Sequence, residues 1–205
     1  MKVYVVRHGE TEANVNRVHQ KLSEPLSKNG RKQAQVLAER LSDIPLDLII
    51  SSPFKRTKQT AEIIAKINKK PIEYCELFKE FKRPSEIEGH SRDEEEVVTI
   101  RQKMTDNVDN PNYHFSDEEN FFDFRERCIK ALEYLENLDK ENVLVVTHAL
   151  IMTMLTAIMV FGKEVTPENY ATFGPFLRLS NTGITIYEFK EDRWTLVSWN
   201  DHSHL

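Results

Sequence analysis

Two histidines of this sequence each follow a run of apolar residues that is typical of a buried strand. His8 comes after residues 3–6 and Arg7, and His148 comes after residues 143–146 and a threonine. The carboxyl ends of parallel strands meet at one edge of a sheet, where ligands of α/β proteins bind. An imidazole beside a guanidinium at this edge suits an anion. One histidine at a strand end is as easily structural as catalytic, but two at matching positions favour a shared site.

A second arginine, Arg56, lies in the first turn of a predicted helix. Ser52 as a hydroxyl cap and Pro53 at the first helical position indicate the start of this helix. The helix dipole disfavours a cation at that place, whereas the free backbone N–H groups attract anions. Arg56 could be a solvated surface charge, but an anion bound beside it explains its position better.

The elements that must position these residues are predicted from apolar patterning, and they indicate an α/β protein. The all-apolar run at 143–146 is expected to be a central strand that is buried on both faces. Predicted strands cover residues 3–6, 46–50, 71–74, 143–146, 176–180, 182–189 and 193–199, with 71–74 at a sheet edge. Predicted helices cover residues 27–41, 52–67, 94–104, 116–138 and 149–161. Ser27 is expected to cap the helix at 27–41, and a capping box that starts at Ser116 is expected to begin the helix at 116–138.

Composition predicts one ordinary globular domain. The chain has 205 residues, 40% of them hydrophobic and 30% charged, which fits a single domain with room for an inserted lid. The net charge of −5 argues against a nucleic-acid partner. Cys75 and Cys128 lack metal-ligand spacing and are expected to be buried free thiols in a reducing compartment. We find no signal-peptide pattern and no apolar run long enough to span a bilayer, so we expect a cytoplasmic protein with no membrane partner.

Residues of about 76–120 are polar, charged and irregular, and they interrupt the α/β pattern. They could be a solvated excursion. Long irregular insertions in compact domains are often functional, however. We therefore expect a single domain over residues 1–205 in which residues of about 76–120 form a lid that determines specificity.

Five short motifs in this order resemble the histidine phosphatase superfamily, in its phosphoglycerate mutase-like branch. They are Arg7-His8-Gly9-Glu10-Thr11 with Asn14; Pro25-Leu26-Ser27 with Gly30, Gln33 and Ala34; Ser51-Ser52-Pro53 with Arg56, Thr57, Gln59, Thr60 and Ala61; Thr147-His148-Ala149; and Asn181-Thr182-Gly183. Each motif alone is weak, but five at the family's spacing make a specific match over nearly the whole chain. The resemblance implies a three-layer α/β/α sandwich around a mostly parallel central sheet, with a lid insertion.

The resemblance also implies roles for the residues at the strand ends. His8 would be the nucleophile that forms a phosphohistidine, and it must be neutral to attack. Arg7 and Arg56 would clamp the phosphoryl oxygens, with His148 as a further donor and Asn14 as a weaker contact. These groups supply the electrostatic stabilisation, so no metal and no cofactor is expected.

The general acid is the least determined role. In one branch of the family it follows closely after the second histidine, but here Ala149, Leu150 and Ile151 stand at that place. In the mutase-like branch it is a glutamate between the third and fourth motifs, and Glu80 fits best. Glu86 and Glu88 are the alternatives. The aromatic-rich sequence that the family usually carries after this glutamate is replaced here by Phe81-Lys82-Arg83-Pro84.

Three functions remain in competition. The first is a phosphatase that hydrolyses a small phosphorylated metabolite through phospho-His8. The second is a phosphoglycerate mutase with the same residues, which is less favoured because residues 76–120 are largely acidic. The third is a catalytically idle module that binds phosphorylated ligands. Four side chains, Lys82, Arg83, His90 and Arg92, could contact a second anionic group of the substrate or could be solvated charges. An oligomer is possible.

Overall fold

A six-stranded sheet forms the centre of the computed structural model, which describes all 205 residues. The strands are β1 (Lys2–Arg7), β2 (Leu48–Ser51), β3 (Ile72–Tyr74), β4 (Asn142–Thr147), β5 (Ile184–Lys190) and β6 (Arg193–Asp201). They lie in the order β3-β2-β4-β1-β5-β6. The first four are parallel, and β5 and β6 are antiparallel to their neighbours.

The two strands that end in the predicted site lie side by side at the centre. All four valine and leucine side chains of residues 143–146 are fully buried, as expected for a strand covered on both faces. In the pairing of β1 with β4, Arg7 lies opposite Thr147. His8 and His148 are therefore the first residues beyond two adjacent strands.

The chain has seven helices, and four of them pack on the two faces of the sheet. The seven are α1 (Glu12–Val15), α2 (Lys28–Arg40), α3 (Lys55–Asn68), α4 (Glu95–Asp106), α5 (Phe121–Glu136), α6 (Ala149–Phe161) and α7 (Pro167–Phe173). Helices α2 and α3 pack on one face over an apolar cluster around Leu37 and Ile64. Helices α5 and α6 pack on the other face over a larger cluster around Cys128 and Met152. This arrangement confirms the predicted three-layer α/β/α sandwich. No helix combines the length and the apolar character that crossing a bilayer requires.

Two predicted helix starts are wrong for identifiable reasons. Helix α3 begins at Lys55 rather than at residue 52, because the Ser52 hydroxyl bonds to His148 instead of capping the helix. Helix α5 begins after Asn120, which forms the capping box with Asp123. The hydroxyl of Ser116 bonds to a glutamate, Glu86, 30 residues earlier in the chain.

The predicted strand at 176–180 is a loop that follows a short 3-10 turn, Gly174–Phe176. Its backbone groups are used by side chains: the carbonyl of Leu179 accepts from Arg7, and the N–H of Ser180 donates to Asn200. Cys128 is buried as predicted, but Cys75 is only half buried.

Residues 76–120 contain two 3-10 turns, Glu76–Phe78 and Ser85–Ile87, and helix α4. A small apolar cluster of Ile87, Val97 and Ile100 stabilises the segment. Its backbone is hydrogen-bonded to the loop after α1, since the N–H of His19 donates to the carbonyl of His90. This pairing fixes the position of the segment at the carboxyl edge of the sheet.

Candidate active site

A cavity of about 390 Å³ opens at the carboxyl edge of the parallel strands. Five of the six residues with predicted catalytic or binding roles line it: Arg7, His8, Asn14, Arg56 and Glu80. The sixth, His148, is fully buried behind His8, and the two rings meet edge to face with centroids 5.2 Å apart. The fold therefore brings all six residues together.

His8 is held as a neutral imidazole whose Nε2 carries an unprotonated lone pair. Its Nδ1 lies 2.7 Å from the carbonyl oxygen of Gly9, so Nδ1 carries the proton and donates it. Its Nε2 accepts from Nε of Arg56 at 3.2 Å. Burial, followed by the charges of Arg56 and Arg7, holds the pKa of His8 well below its usual value. Nε2 is therefore unprotonated, and its lone pair is hydrogen-bonded to Arg56 in the unliganded protein.

Arg56 is positioned by the start of helix α3 and is 2% exposed. Its Nη1 donates to the carbonyl of Lys21 at 3.1 Å, and its own carbonyl accepts from the hydroxyl of Thr60. Thr60 also accepts the N–H of Gly9, which ties helix α3 to the turn after His8. Burial lowers the pKa of Arg56 to about 10, so the guanidinium stays charged at neutral pH.

Arg7 ends strand β1 and lines the same cavity. Its Nη1 donates to the carbonyl of Leu179 at 2.6 Å, which fixes the guanidinium. Its Nε is buried without a hydrogen-bond partner. A buried donor without a partner is costly, and an anion at His8 would supply the acceptor.

His148 is the residue that precedes helix α6. Its Nε2 lies 2.9 Å from the hydroxyl of Ser52, and its Nδ1 is buried without a partner. Burial, followed by the charge of Arg56, holds the pKa of His148 well below its usual value. His148 is thus neutral in the unliganded protein and has one ring nitrogen free to bond.

Glu80 presents its carboxylate to the cavity from the segment before the second 3-10 turn. Its two oxygens accept from the backbone N–H groups of Phe81, at 3.0 Å, and Leu150, at 3.3 Å. Leu150 lies in the first turn of helix α6, where N–H groups have no partner within the helix. Of the alternatives, Glu88 lines the cavity, whereas Glu86 does not and bonds to Ser116.

An ion pair of Arg127 and Glu119 holds the segment that carries Glu80. Two guanidinium nitrogens of Arg127 donate to the two carboxylate oxygens of Glu119 at 2.6 and 2.7 Å. The same guanidinium donates to the backbone carbonyls of Leu77, Lys79 and Glu80. Glu119 in turn accepts the N–H of residue 82 at 3.0 Å. The backbone is therefore held on both sides of Glu80.

Asn14 lines the cavity near the backbone of His8. Its Oδ1 accepts from Nδ2 of Asn181, and the same Nδ2 donates to the carbonyl of His8 at 2.9 Å. Asn181 belongs to the fifth motif of the sequence and orients the turn after β1.

Sequence patterns missed several residues of this cavity, and His19 and Arg127 are two of them. His19 stands in a polar loop without periodicity, and Arg127 resembles a surface charge on an amphipathic helix. No group of three or more His, Cys, Asp or Glu side chains is arranged as a metal site. The chemistry that the cavity offers is therefore a nitrogen nucleophile, two guanidinium groups for a tetrahedral anion, and a carboxyl group for proton transfer.

Known proteins resemble this chain along its whole length. The sequence profile of the histidine phosphatase superfamily (branch 1) matches residues 3–202. The uncharacterized phosphatase PhoE of Bacillus subtilis is 32% identical, over 99% of this chain and 96% of its own. The probable phosphoglycerate mutase GpmB of Escherichia coli is 31% identical, over 100% of this chain and 95% of its own. The structure of a phosphoserine phosphatase variant of Entamoeba histolytica, solved with phosphoserine, superposes with a TM-score of 0.77. It is 27% identical and covers 100% of this chain and 98% of its own.

Proposed function

The chain belongs to the histidine phosphatase superfamily (branch 1), and we propose that it hydrolyses a small phosphomonoester through a phosphohistidine on His8. The observation that carries this proposal is the neutral His8, whose Nε2 lone pair faces the cavity between Arg7 and Arg56. The same three side chains supply the nucleophile and the charge that phosphoryl transfer needs.

In the first step, Nε2 of His8 attacks phosphorus, the N–P bond forms and the ester P–O bond breaks. Arg7, Arg56 and His148 hold the three equatorial oxygens, with Asn14 as an additional contact. The leaving oxygen takes a proton from the carboxylic acid of Glu80. In the second step a water molecule attacks phosphorus and gives its proton to the Glu80 carboxylate. The N–P bond breaks, and inorganic phosphate leaves.

Residues 76–120 are proposed to cover the substrate. Glu80, Lys82, Arg83, Glu88 and Arg92 of this segment line the cavity, which supports a role in specificity. The cavity volume fits a small phosphorylated metabolite. The free thiols of the two cysteines support a reducing, cytoplasmic compartment.

The test is chemical trapping of the intermediate. Protein quenched within milliseconds of mixing with a ³²P-labelled phosphomonoester should carry label that is stable in alkali and labile in acid. His8→Ala should carry none and should lose turnover. His90→Ala, an exposed histidine paired with Glu94, is the matched control and should label normally. Wild-type turnover and labelling in His8→Ala would refute the mechanism.

A mutase is the second candidate, because GpmB is nearly as similar to the chain as PhoE is. A mutase would return the phosphoryl group of phospho-His8 to a second hydroxyl instead of to water. Coupled assays that follow phosphate release and phosphoglycerate interconversion in one sample separate the two. We expect phosphate release to dominate, and faster interconversion would assign the mutase.

A further inference from the structure

The ring of His148 makes one hydrogen bond to the protein, and its partner is a serine. Nε2 of the ring lies 2.9 Å from the hydroxyl oxygen of Ser52, and both side chains are fully buried. The ring also packs against the rings of Phe54 and His8, with centroids 5.1 and 5.2 Å apart. Neither of these neighbours bonds to its nitrogens. Ser52 is therefore the side chain that can determine which nitrogen of His148 carries a proton.

The surroundings of Ser52 favour its hydroxyl as the donor in this hydrogen bond. A serine hydroxyl carries one hydrogen and two lone pairs, so it can donate to Nε2 or accept from it. Nε2 of His148 is the one acceptor within hydrogen-bond distance of this hydroxyl, whereas the N–H of Phe54 donates to the same oxygen at 3.5 Å. If Nε2 were the donor, the hydroxyl hydrogen of Ser52 would be buried without an acceptor, which is unfavourable.

A donating serine determines the state of the other ring nitrogen, Nδ1. Burial, followed by the charge of Arg56, holds the pKa of His148 well below its usual value, so the ring carries one proton. When Nε2 accepts a hydrogen bond, that proton resides on Nδ1. Nδ1 is buried without a partner. An N–H at this place lacks an acceptor in the unliganded protein, and a bound anion supplies one.

The backbone of Ser52 is fixed relative to the strand that leads to His148. Its N–H donates to the carbonyl of Val146 on strand β4 at 3.0 Å. Its carbonyl accepts from the hydroxyls of Ser51 and Thr57, both at 2.9 Å. The relative position of the serine and the histidine is therefore determined by the pairing of two neighbouring strands, β2 and β4.

We propose that Ser52 is a positioning residue that selects the Nδ1–H tautomer of His148, so that His148 meets the phosphoryl group as a neutral N–H donor and not as an imidazolium. Burial and repulsion disfavour a third positive charge beside Arg7 and Arg56. A neutral donor adds a hydrogen bond to the phosphoryl group without that charge. This inference rests on the proposed phosphatase function.

The direct test is the tautomer itself. In protein labelled with ¹⁵N-histidine, long-range ¹H–¹⁵N correlation spectra report which ring nitrogens are protonated, and His148→Ala identifies the signals of His148 by their loss. At neutral pH the wild type should show a protonated Nδ1 and an unprotonated Nε2, both alone and saturated with inorganic phosphate. A protonated Nε2 in either sample would overturn the proposal. Ser52→Ala should move the proton of His148 toward Nε2, and an unchanged tautomer in this variant would also overturn it.

Variants connect the tautomer to phosphate binding. Ser52→Ala should bind inorganic phosphate about tenfold to hundredfold more weakly, the range of one hydrogen bond to a charged group, and should lower kcat/KM by a similar factor. Ser52→Thr keeps the hydroxyl and should restore both quantities. Ser51→Ala is the matched control, because it removes a neighbouring buried hydroxyl that donates to the carbonyl of Ser52 and does not contact His148. Equal losses in Ser51→Ala and Ser52→Ala would refute a specific role of Ser52.

A double-mutant cycle shows whether Ser52 acts through His148. His148→Ala should weaken phosphate binding, and Ser52→Ala added to it should cause no further loss. Additive losses, in variants with normal thermal unfolding, would contradict the proposed coupling.

The same measurements separate this inference from the proposed function. The expected tautomers and phosphate affinities, with no turnover of any phosphomonoester by the wild type, would refute the phosphatase and keep the role of Ser52. Turnover through phospho-His8, with the tautomer of His148 unchanged in Ser52→Ala, would refute the role of Ser52 alone.

Discussion

Nε of Arg56 donates to Nε2 of His8 across 3.2 Å, so the arginine occupies the lone pair that is proposed to attack phosphorus. This contact stabilises the neutral tautomer of His8 in the unliganded protein. In the proposed reaction, the same N–H turns to an oxygen of the entering phosphoryl group and frees the lone pair. One guanidinium would thus protect the proposed nucleophile before the reaction and bind the transferred group during it.

Removing the charge of Arg56 should therefore change both rate and pH dependence. Arg56→Met should lower kcat/KM by about 10²- to 10³-fold, the usual loss for one oxyanion donor. Because Arg56 lowers the pKa of His8, His8 should protonate at a higher pH in this variant, and the acid limb of kcat/KM should move up. Arg56→Lys keeps the charge and should keep the limb near its wild-type position. If the acid limb of kcat/KM lies at the same pH in both variants, Arg56 does not lower the pKa of His8.

Glu80→Gln should have an effect that depends on the leaving group. Alkyl phosphates need a proton on the departing oxygen, so their kcat should fall by about 10²- to 10⁴-fold. p-Nitrophenyl phosphate releases a stable phenolate and should lose much less. Glu86→Gln, which alters a side chain outside the cavity, should behave as the wild type. If Glu88→Gln shows the leaving-group dependence instead, Glu88 is the acid.

Arg127 should affect catalysis through the position of Glu80. Arg127→Lys cannot make the five hydrogen bonds to Glu119 and to three carbonyls. Lysine keeps the charge but loses the bidentate pairing with Glu119 and the bonds to the carbonyls, so the melting temperature should fall as well. The diagnostic readout is the ratio of alkyl to p-nitrophenyl phosphate turnover, which should decrease about tenfold.

Arg125→Lys is the matched control for Arg127. Arg125 lies on the same helix and bonds to the carbonyl of Val165, outside the cavity. Its substitution should leave the turnover ratio unchanged. If Arg127→Lys lowers the turnover of every substrate equally, its role is structural and does not act through Glu80.

Stability should decrease as the pH falls from 7 to 5. Burial holds the pKa values of His8, His19 and His148 below 6.5, so below that pH the unfolded chain binds protons that the native protein does not. Each such histidine contributes stability that is fully present above pH 6.5 and is lost at about 1.4 kcal/mol per pH unit as the pH falls toward its native pKa.

Urea unfolding measured at pH 7, 6 and 5 tests this slope. Carboxylates with lowered pKa values, such as Asp47 and Asp117, lose their contribution only at lower pH, so this window isolates the histidines. His19→Gln should reduce the slope. A free energy of unfolding that stays level or rises toward pH 5 would contradict the pKa directions.

The sequence predicts His8, Arg56 and His148 because their placement depends on local patterns. An apolar run determines where a strand ends, and parallel strands share one edge. Local patterns do not predict the role of Arg127, because the backbone carbonyls that it binds lie 47 to 50 residues earlier in the chain.

The charged side chains of residues 82–92 show the same limit. The sequence allows the same two interpretations, a ligand contact or a solvated charge, for Lys82, Arg83, His90 and Arg92. In the fold, Lys82 pairs with Asp117 and His90 pairs with Glu94, while the two arginines stay unpaired. Only the contacts made in the fold distinguish a paired charge from an unpaired one, so the sequence identifies the four residues but does not tell them apart.

The alignment of Arg7 with Thr147 across β1 and β4 has a consequence for how this enzyme can change. The distance between the two histidines is determined by the pairing of two neighbouring strands. Arg83 and Arg92, in contrast, lie on backbone outside the helices and strands. The proposed nucleophile and the residues proposed to choose the substrate are therefore carried by different parts of one chain. Exchanging residues 83–92 for those of a relative should redirect which ester is accepted while the phosphoryl-transfer centre is retained.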